Sequence, residues 1–189
     1  MDLNFLFRVP LGEIIKRPLW QPPGVTYPEV QVVPLEELFT GKIRATLDRA
    51  MPRDLFDTVR LPEYGADIWG TPRLRRIHVA LAATLLHPLY QYGQDRFERV
   101  TGRSIEEQLV PMLHSDEQPV AEQLKKQAWS VVEPLVNLDD VEREYIDRMH
   151  AGELTPELLF PDDEELASRL TRYPPLLWKI ENVRRHLSK

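Results

Sequence analysis

The sequence predicts a mainly α protein (α+β), with short N-terminal β strands leading into a C-terminal helical bundle. Three observations predict it. From Leu35 onward, apolar residues recur every three or four positions, the period of a helix with one buried face. Before Leu35 the chain alternates or runs extended between prolines. In the helical part, Ser, Thr, Asp or Asn stands at the expected helix starts, twice directly before proline. The chain therefore divides into residues 1–34 and residues 35–189.

The opening places Leu3, Phe5, Phe7 and Val9 on one strand face and Asp2, Asn4, Leu6 and Arg8 on the other. A loop with Pro18, Pro22, Pro23, Gly24 and Pro28 follows, and Glu29 to Val33 forms a second extended run. Two such strands are marginal alone in water and need a sheet to join. Leu35, Leu38, Phe39, Ile43 and Leu47 give the first helix, over residues 35–49. Pro52 opens a second, with Leu55, Phe56 and Val59 inward. Thr71-Pro72 caps a third, running to about Leu86. Ser104 with Glu107 reads as a capping box, and Ser115, Asn137 and Asp162 read as further caps. Gly152 ends the helix that carries Tyr145 and Met149, and Thr155-Pro156 begins a short helical turn. Pro174-Pro175 precedes a last helix lined by Leu176, Ile180, Val183 and Leu187.

Composition bounds the function. The 189 residues suffice for a real core, and 42% apolar with 29% charged residues argues against wholesale disorder. The absence of cysteine excludes disulfides and thiolate metal sites. No apolar run approaches the roughly 20 residues of a membrane span, and no secretory signal pattern opens the chain. A cytoplasmic protein is expected. The net charge of −6 is unevenly spread: residues 35–103 carry nine acids and eleven bases, whereas residues 104–189 carry eighteen acids and ten bases. A polyanion would meet the middle of the chain, although solvated helix faces account for the same charges.

The strongest local constellation is Arg49, Arg53, Asp54 and Asp57 around the junction of the first two helices. Asp54 and Asp57, three apart, share a helix face and suit a divalent cation or an oriented base. The arginines suit phosphates in bidentate geometry. A plain salt-bridge cluster explains them too, since Arg49 at a helix C-terminus and Asp54 in a first turn both complement the helix dipole. Lys42 lies seven residues before Arg49 on the same stripe, where it must snorkel or find an anion.

These residues resemble a known family. Leu35 to Ala45, followed by Arg49-x-x-x-Arg53-Asp54-x-x-Asp57, is similar to the AbiEii/AbiGii toxin nucleotidyltransferases. Tyr173-Pro174-Pro175-Leu176-Leu177-Trp178-Lys179-Ile180-Glu181-Asn182 resembles that family's C-terminus, and Asp2 to Leu11 resembles the strand that follows its nucleotide-binding core. The resemblance implies the DNA polymerase beta superfamily and the toxin half of a toxin–antitoxin or abortive-infection system. It implies transfer of a nucleotide from an NTP, with Mg²⁺, to an acceptor such as tRNA, and an antitoxin as a partner. By position, Lys42 would contact the NTP phosphates and Asp54 would be the functional aspartate. Arg49, Arg53 and Asp57 would hold it or touch the nucleotide, and Asp2 would be a metal ligand. Residues 1–34 would then be a remnant of the nucleotidyltransferase sheet.

The family's chemistry also needs a Gly-Ser turn that cradles phosphates and an Asp-x-Asp pair that binds metal. This sequence contains neither. Three readings follow: a toxin lacking its catalytic N-terminal half, a non-catalytic helical module that binds RNA or protein, and a chain that completes its site with a separately encoded half. The first predicts an exposed edge or self-association at Leu3, Phe5 and Phe7.

The remaining candidates are weaker. The histidines His78, His87, His114, His150 and His186 show no metal-ligand spacing. Arg73, Arg75 and Arg76 crowd a helix start, where positive charge is unfavourable, and so hint at an anion such as RNA. Trp20, Trp69, Trp129 and Trp178 are isolated and expected to be core anchors.

Overall fold

A computed structural model describes residues 9–19, 22–26 and 28–188. The alternating run read at residues 2–9 lies outside them except for Val9, so Asp2, Leu3, Phe5 and Phe7 are not placed. Strand β1 (Ile15–Pro18) pairs antiparallel with β2 (Glu29–Val32), Ile15 opposite Val32 and Pro18 opposite Glu29. β2 is the extended run expected from sequence. β1 falls in what reads as loop, and it carries a proline at its last position, where no ladder donor is needed. Leu19 N–H closes the hairpin on Pro28 O at 2.9 Å.

Helices α1 (Leu35–Asp48), α2 (Pro52–Tyr64) and α3 (Pro72–Ala82) follow, then α4 (Gly102–Gln108), α5 (Ala121–Val136), α6 (Asp140–His150), α7 (Glu164–Thr171) and α8 (Pro174–Leu187). Thr71 caps α3 as expected, its Oγ1 accepting from Leu74 N–H. Three other starts shift by one to three residues, because a cap must reach the amide two or three positions on, and the start expected at Ser115 moves by five, to follow Val120. Thr101 caps α4, with Ser104 answering from the third position. Asp139, not Asn137, caps α6 in a reciprocal box with Glu142. Asp163, not Asp162, caps α7, and Val120 precedes α5 without any side-chain cap. Gly152, at φ +87°, ends the α6 segment in the left-handed region, and its carbonyl accepts from Arg184 Nε of α8.

Two apolar clusters organise the bundle. In the larger, Phe39, Ile43 and Leu47 of α1 meet α3, α6 and α8 through Leu74, Leu81, Tyr145, Ile146 and Leu176. In the smaller, Leu55 of α2 packs with Phe97, Ile105, Leu109 and Leu124. Trp129 stands edge-on to Phe97 and Trp69 tilts against Phe39. Trp178 is 53% exposed and is no core anchor, while Trp20 lies outside the described residues.

The three arginines at the start of α3 are taken up by the chain itself. Arg75 grips Glu142 with two hydrogen bonds, at 2.7 and 2.6 Å, and also donates to the carbonyls of Pro134 and Asn137. Arg73 pairs with Asp163 and Arg76 with Asp139. The unfavourable helix-start charge is thus answered by carboxylates from α6 and α7, not by an external anion.

Candidate functional site

The site is built where α1 turns into α2. Arg49 closes α1, Ala50 takes φ +49°, Met51 is extended, and Pro52 begins α2 with its ring-fixed φ. A left-handed alanine is uncommon; its side chain is buried, so packing holds the strained backbone. Reversal in so few residues lays the start of α2 against the end of α1.

A buried polar seam ties the two helices. Thr46 Oγ1 lies 2.7 Å from Thr58 Oγ1, 2.9 Å from Asp54 O and 3.1 Å from Lys42 O. Two hydroxyl protons therefore serve one shared set of acceptors across the junction.

The sequence-predicted residues assemble on this seam. Asp54 is the third residue of α2, and its side chain is only 5% exposed. One carboxylate oxygen accepts from Arg49 Nη2 at 2.7 Å, and the other accepts from Met51 N–H at 3.3 Å. Lys42 Nζ donates to Asp57 Oδ2 at 2.5 Å. Arg53 is exposed on the first turn of α2. Lys42, Arg49, Asp54 and Asp57 are thus brought together as two ion pairs across one junction, and Arg53 stands beside them.

Lys42 and Arg49 also line a cavity of about 480 Å³ between α1 and the segment leading into it. Its walls include Pro10, Val33, Leu38 and Tyr173, with Glu37, Arg44 and Asp48 as further charged groups. Burial raises the Glu37 carboxyl above its ordinary value, although the N–H groups of Gly12 and Leu11 donate to it. Burial likewise lowers Arg44 and raises the Tyr173 phenol. Asp54 and Asp57 do not line this cavity; they stand behind two of its three cations, Arg49 and Lys42.

Sequence reasoning did not find Glu37, Arg44, Thr46, Arg96 or Arg99. Arg96 donates to the carbonyls of Leu47 and Asp48, and Arg99 to that of Arg49. No periodic pattern marks residues of a short 3₁₀ helix (Gln94–Arg99) that reach back some fifty positions, so no signal was available for these two.

The described carboxylates do not fit a metal ion. Asp54 is spent on Arg49 and a backbone amide, and Asp57 on Lys42. Among the described residues, no group of three or more His, Asp or Glu converges as a metal site. Asp2 lies outside them. Among the described residues, no helix is long and apolar enough to cross a membrane.

A family model, described as nucleotidyl transferase AbiEii toxin, type IV TA system, matches residues 1–132. That span contains both strands and α1 to α4, together with most of α5 and the whole α1–α2 junction. No curated protein and no solved structure matches the chain.

Proposed function

The chain belongs to the AbiEii family of nucleotidyltransferase toxins from type IV toxin–antitoxin systems, and from that premise we propose that it supplies the phosphate-gripping side of an NTP site. The observation that carries this reading is that Lys42 and Arg49, seven residues apart on one helix face, line the same cavity. A volume near 480 Å³ lies within the range of small-molecule sites, about 300–1,000 Å³. Lys42 meets a phosphate oxygen as a point charge, and Arg49 offers a planar fork. Asp57 holds Lys42 in place and Asp54 holds Arg49, so both aspartates are positioning residues. Arg53 contributes charge at the rim. We assign Asp2 towards the Mg²⁺ that accompanies an NTP, and residues 1–34 to the nucleotidyltransferase sheet. The acceptor we favour is an RNA such as tRNA, which places the protein in the cytoplasm beside its antitoxin.

We further propose that these 189 residues bind NTP without transferring it. The Gly-Ser turn and the Asp-x-Asp pair are absent from the sequence, and the carboxylates at the junction already neutralise cations. The same pairing favours a second reading, a non-catalytic helical module that binds RNA or protein. Titration calorimetry with ATP, GTP, CTP and UTP in Mg²⁺ separates the two. Micromolar binding of at least one NTP, lost in Lys42→Met, supports the phosphate site; no binding of any NTP overturns it. Asp54-dependent transfer of label from NTP to tRNA by the purified chain overturns the proposed inactivity.

A further inference from the structure

Gly41 stands midway along the 14 residues of α1. Glycine in a helix interior is less stable than alanine, and no local geometry asks for it here. Its φ is not in the left-handed region, and a Cβ built on it would meet no atom within 4 Å. The space it leaves open is the cavity. Gly41 lines that cavity between Glu37 and Arg44 on one side of the helix arc and Lys42 and Arg49 on the other.

The two sides differ chemically. Lys42 and Arg49 draw phosphate oxygens, whereas the Glu37 carboxylate repels them. Glu37 Oε1 accepts from the N–H groups of Leu11 and Gly12, while Oε2 accepts from no group among the described residues. The two amides fix the carboxylate, so its second oxygen is a pre-oriented acceptor for a donor on a ligand. Asp48, the other acid of the lining, lies one turn beyond Arg44 and acts on that guanidinium.

The group next to the phosphates of an NTP is the sugar. Glu37 precedes Lys42 by five residues, about 7–8 Å along the axis at about 1.5 Å each, so the sugar comes within reach of Glu37 before the base does. A carboxylate takes a ribose hydroxyl in the same way in dinucleotide sites. Pro10, Val33 and Leu38 add apolar wall for the carbon face of the ring.

We propose that Gly41 and Glu37 form a sugar subsite. The ribose lies against the bare α1 backbone at Gly41 and donates a hydroxyl to Glu37 Oε2, which makes the cavity selective for ribonucleotides over deoxyribonucleotides. The subsite rests on the reading of the cavity as an NTP site with Lys42 and Arg49 on the phosphates, and it gives that site its sugar specificity.

Titration calorimetry of the full chain in Mg²⁺, with the four NTPs and their 2′-deoxy and 3′-deoxy counterparts, tests it. At least one NTP should bind at least about tenfold more tightly than one of its deoxy forms, the effect of one hydrogen bond to a charged group. Glu37→Gln keeps an oxygen for Leu11 and Gly12 but turns an amide donor towards the sugar, and it should bring that ratio close to one. A residue that only pinned the segment before β1 would lower affinity for both sugars alike and leave the ratio unmoved. Gly41→Ala should melt about 2–4 °C higher than wild type, and Gly41→Leu should bind the NTP at least about tenfold more weakly without melting lower. NTP binding with no hydroxyl preference overturns the subsite and leaves the phosphate site standing. So does a Glu37→Gln protein that changes its ranking of the four bases but keeps the hydroxyl preference. Wild-type NTP affinity in Gly41→Leu overturns the subsite too. NTP binding that survives Lys42→Met, beside a hydroxyl preference lost in Glu37→Gln, removes the phosphate site and supports the subsite; binding of no NTP overturns both.

Discussion

The Lys42 ammonium meets the Asp57 carboxylate at 2.5 Å across the α1–α2 junction, each side chain about two-fifths exposed. Water competes for such a pair, so its net contribution to folding is small, about 0–1 kcal/mol. Asp57→Asn and Lys42→Met should each change unfolding free energy by less than about 1 kcal/mol in urea titrations. Their effects on ligand should differ: Lys42→Met removes the cation and should weaken NTP binding at least about tenfold, one charge-assisted hydrogen bond. A stability loss well above 1 kcal/mol would show that the pair is structural.

Asp54 sits in the contrasting environment. It is buried, accepts from the helix-start amide of Met51 and neutralises Arg49. Asp54→Ala removes a cap, about 1 kcal/mol, and a hydrogen bond to a charged group, about 1.5–3 kcal/mol. Chemical denaturation should show a loss of about 2.5–4 kcal/mol. Asp54→Asn keeps an oxygen for Met51 and should lose about half as much. Equal losses in the two variants would mean that the cap contributes nothing.

The helices were legible because each depends on a local signal. Phe39, Ile43 and Leu47 of the first stripe are buried and the Thr71-Pro72 start is capped as read, whereas Leu38 of the same stripe is exposed. Cap positions slipped at Asp139 and Asp163, where a second acceptor, Asn137 or Asp162, stands one or two residues away and only the final turn geometry selects one. β1 was hidden because Ile15-Lys16-Arg17-Pro18 has no apolar alternation; its partner β2 makes it a strand. At the site, Lys42, Arg49, Asp54 and Asp57 were visible from spacing. Which cation each acid takes depends on the reversal at Ala50, and left-handed alanine has no sequence signature. The paired arginines of α3 were misread for a related reason: Glu142 and Asp163 lie more than sixty residues away.

Arg75 and Glu142 should be the costliest ion pair to break among those at the start of α3. Glu142 is fully buried, and Arg75 bonds to it twice while bracing the end of α5 through two carbonyls. Removing one partner strands a buried charge, which costs about 3–5 kcal/mol. Arg75→Met should lower stability by that amount. Arg75→Met/Glu142→Met should recover part of it, because the stranded carboxylate is gone. A double variant less stable than Arg75→Met alone would contradict the stranded-charge account.

His78 sets the response to acid. It is fully buried in α3, neither ring nitrogen has a hydrogen-bond partner, and burial, aided by the charge of Arg75, pushes its pKa down to about 3. The unfolded chain takes up this proton near pH 6.5, while the folded core refuses it until about pH 3. Between those values the unfolded state binds more protons, so stability falls as pH falls, by at most about 1.4 kcal/mol per pH unit. From pH 7 to pH 5 the loss through His78 should be about 2 kcal/mol. His150, also depressed by burial, adds in the same direction, so the informative quantity is the difference between wild type and His78→Leu. Urea titrations at both pH values should show the variant losing about 2 kcal/mol less than wild type. Identical pH dependence in the two proteins would mean that the folded core accepts the proton near pH 6.5 after all.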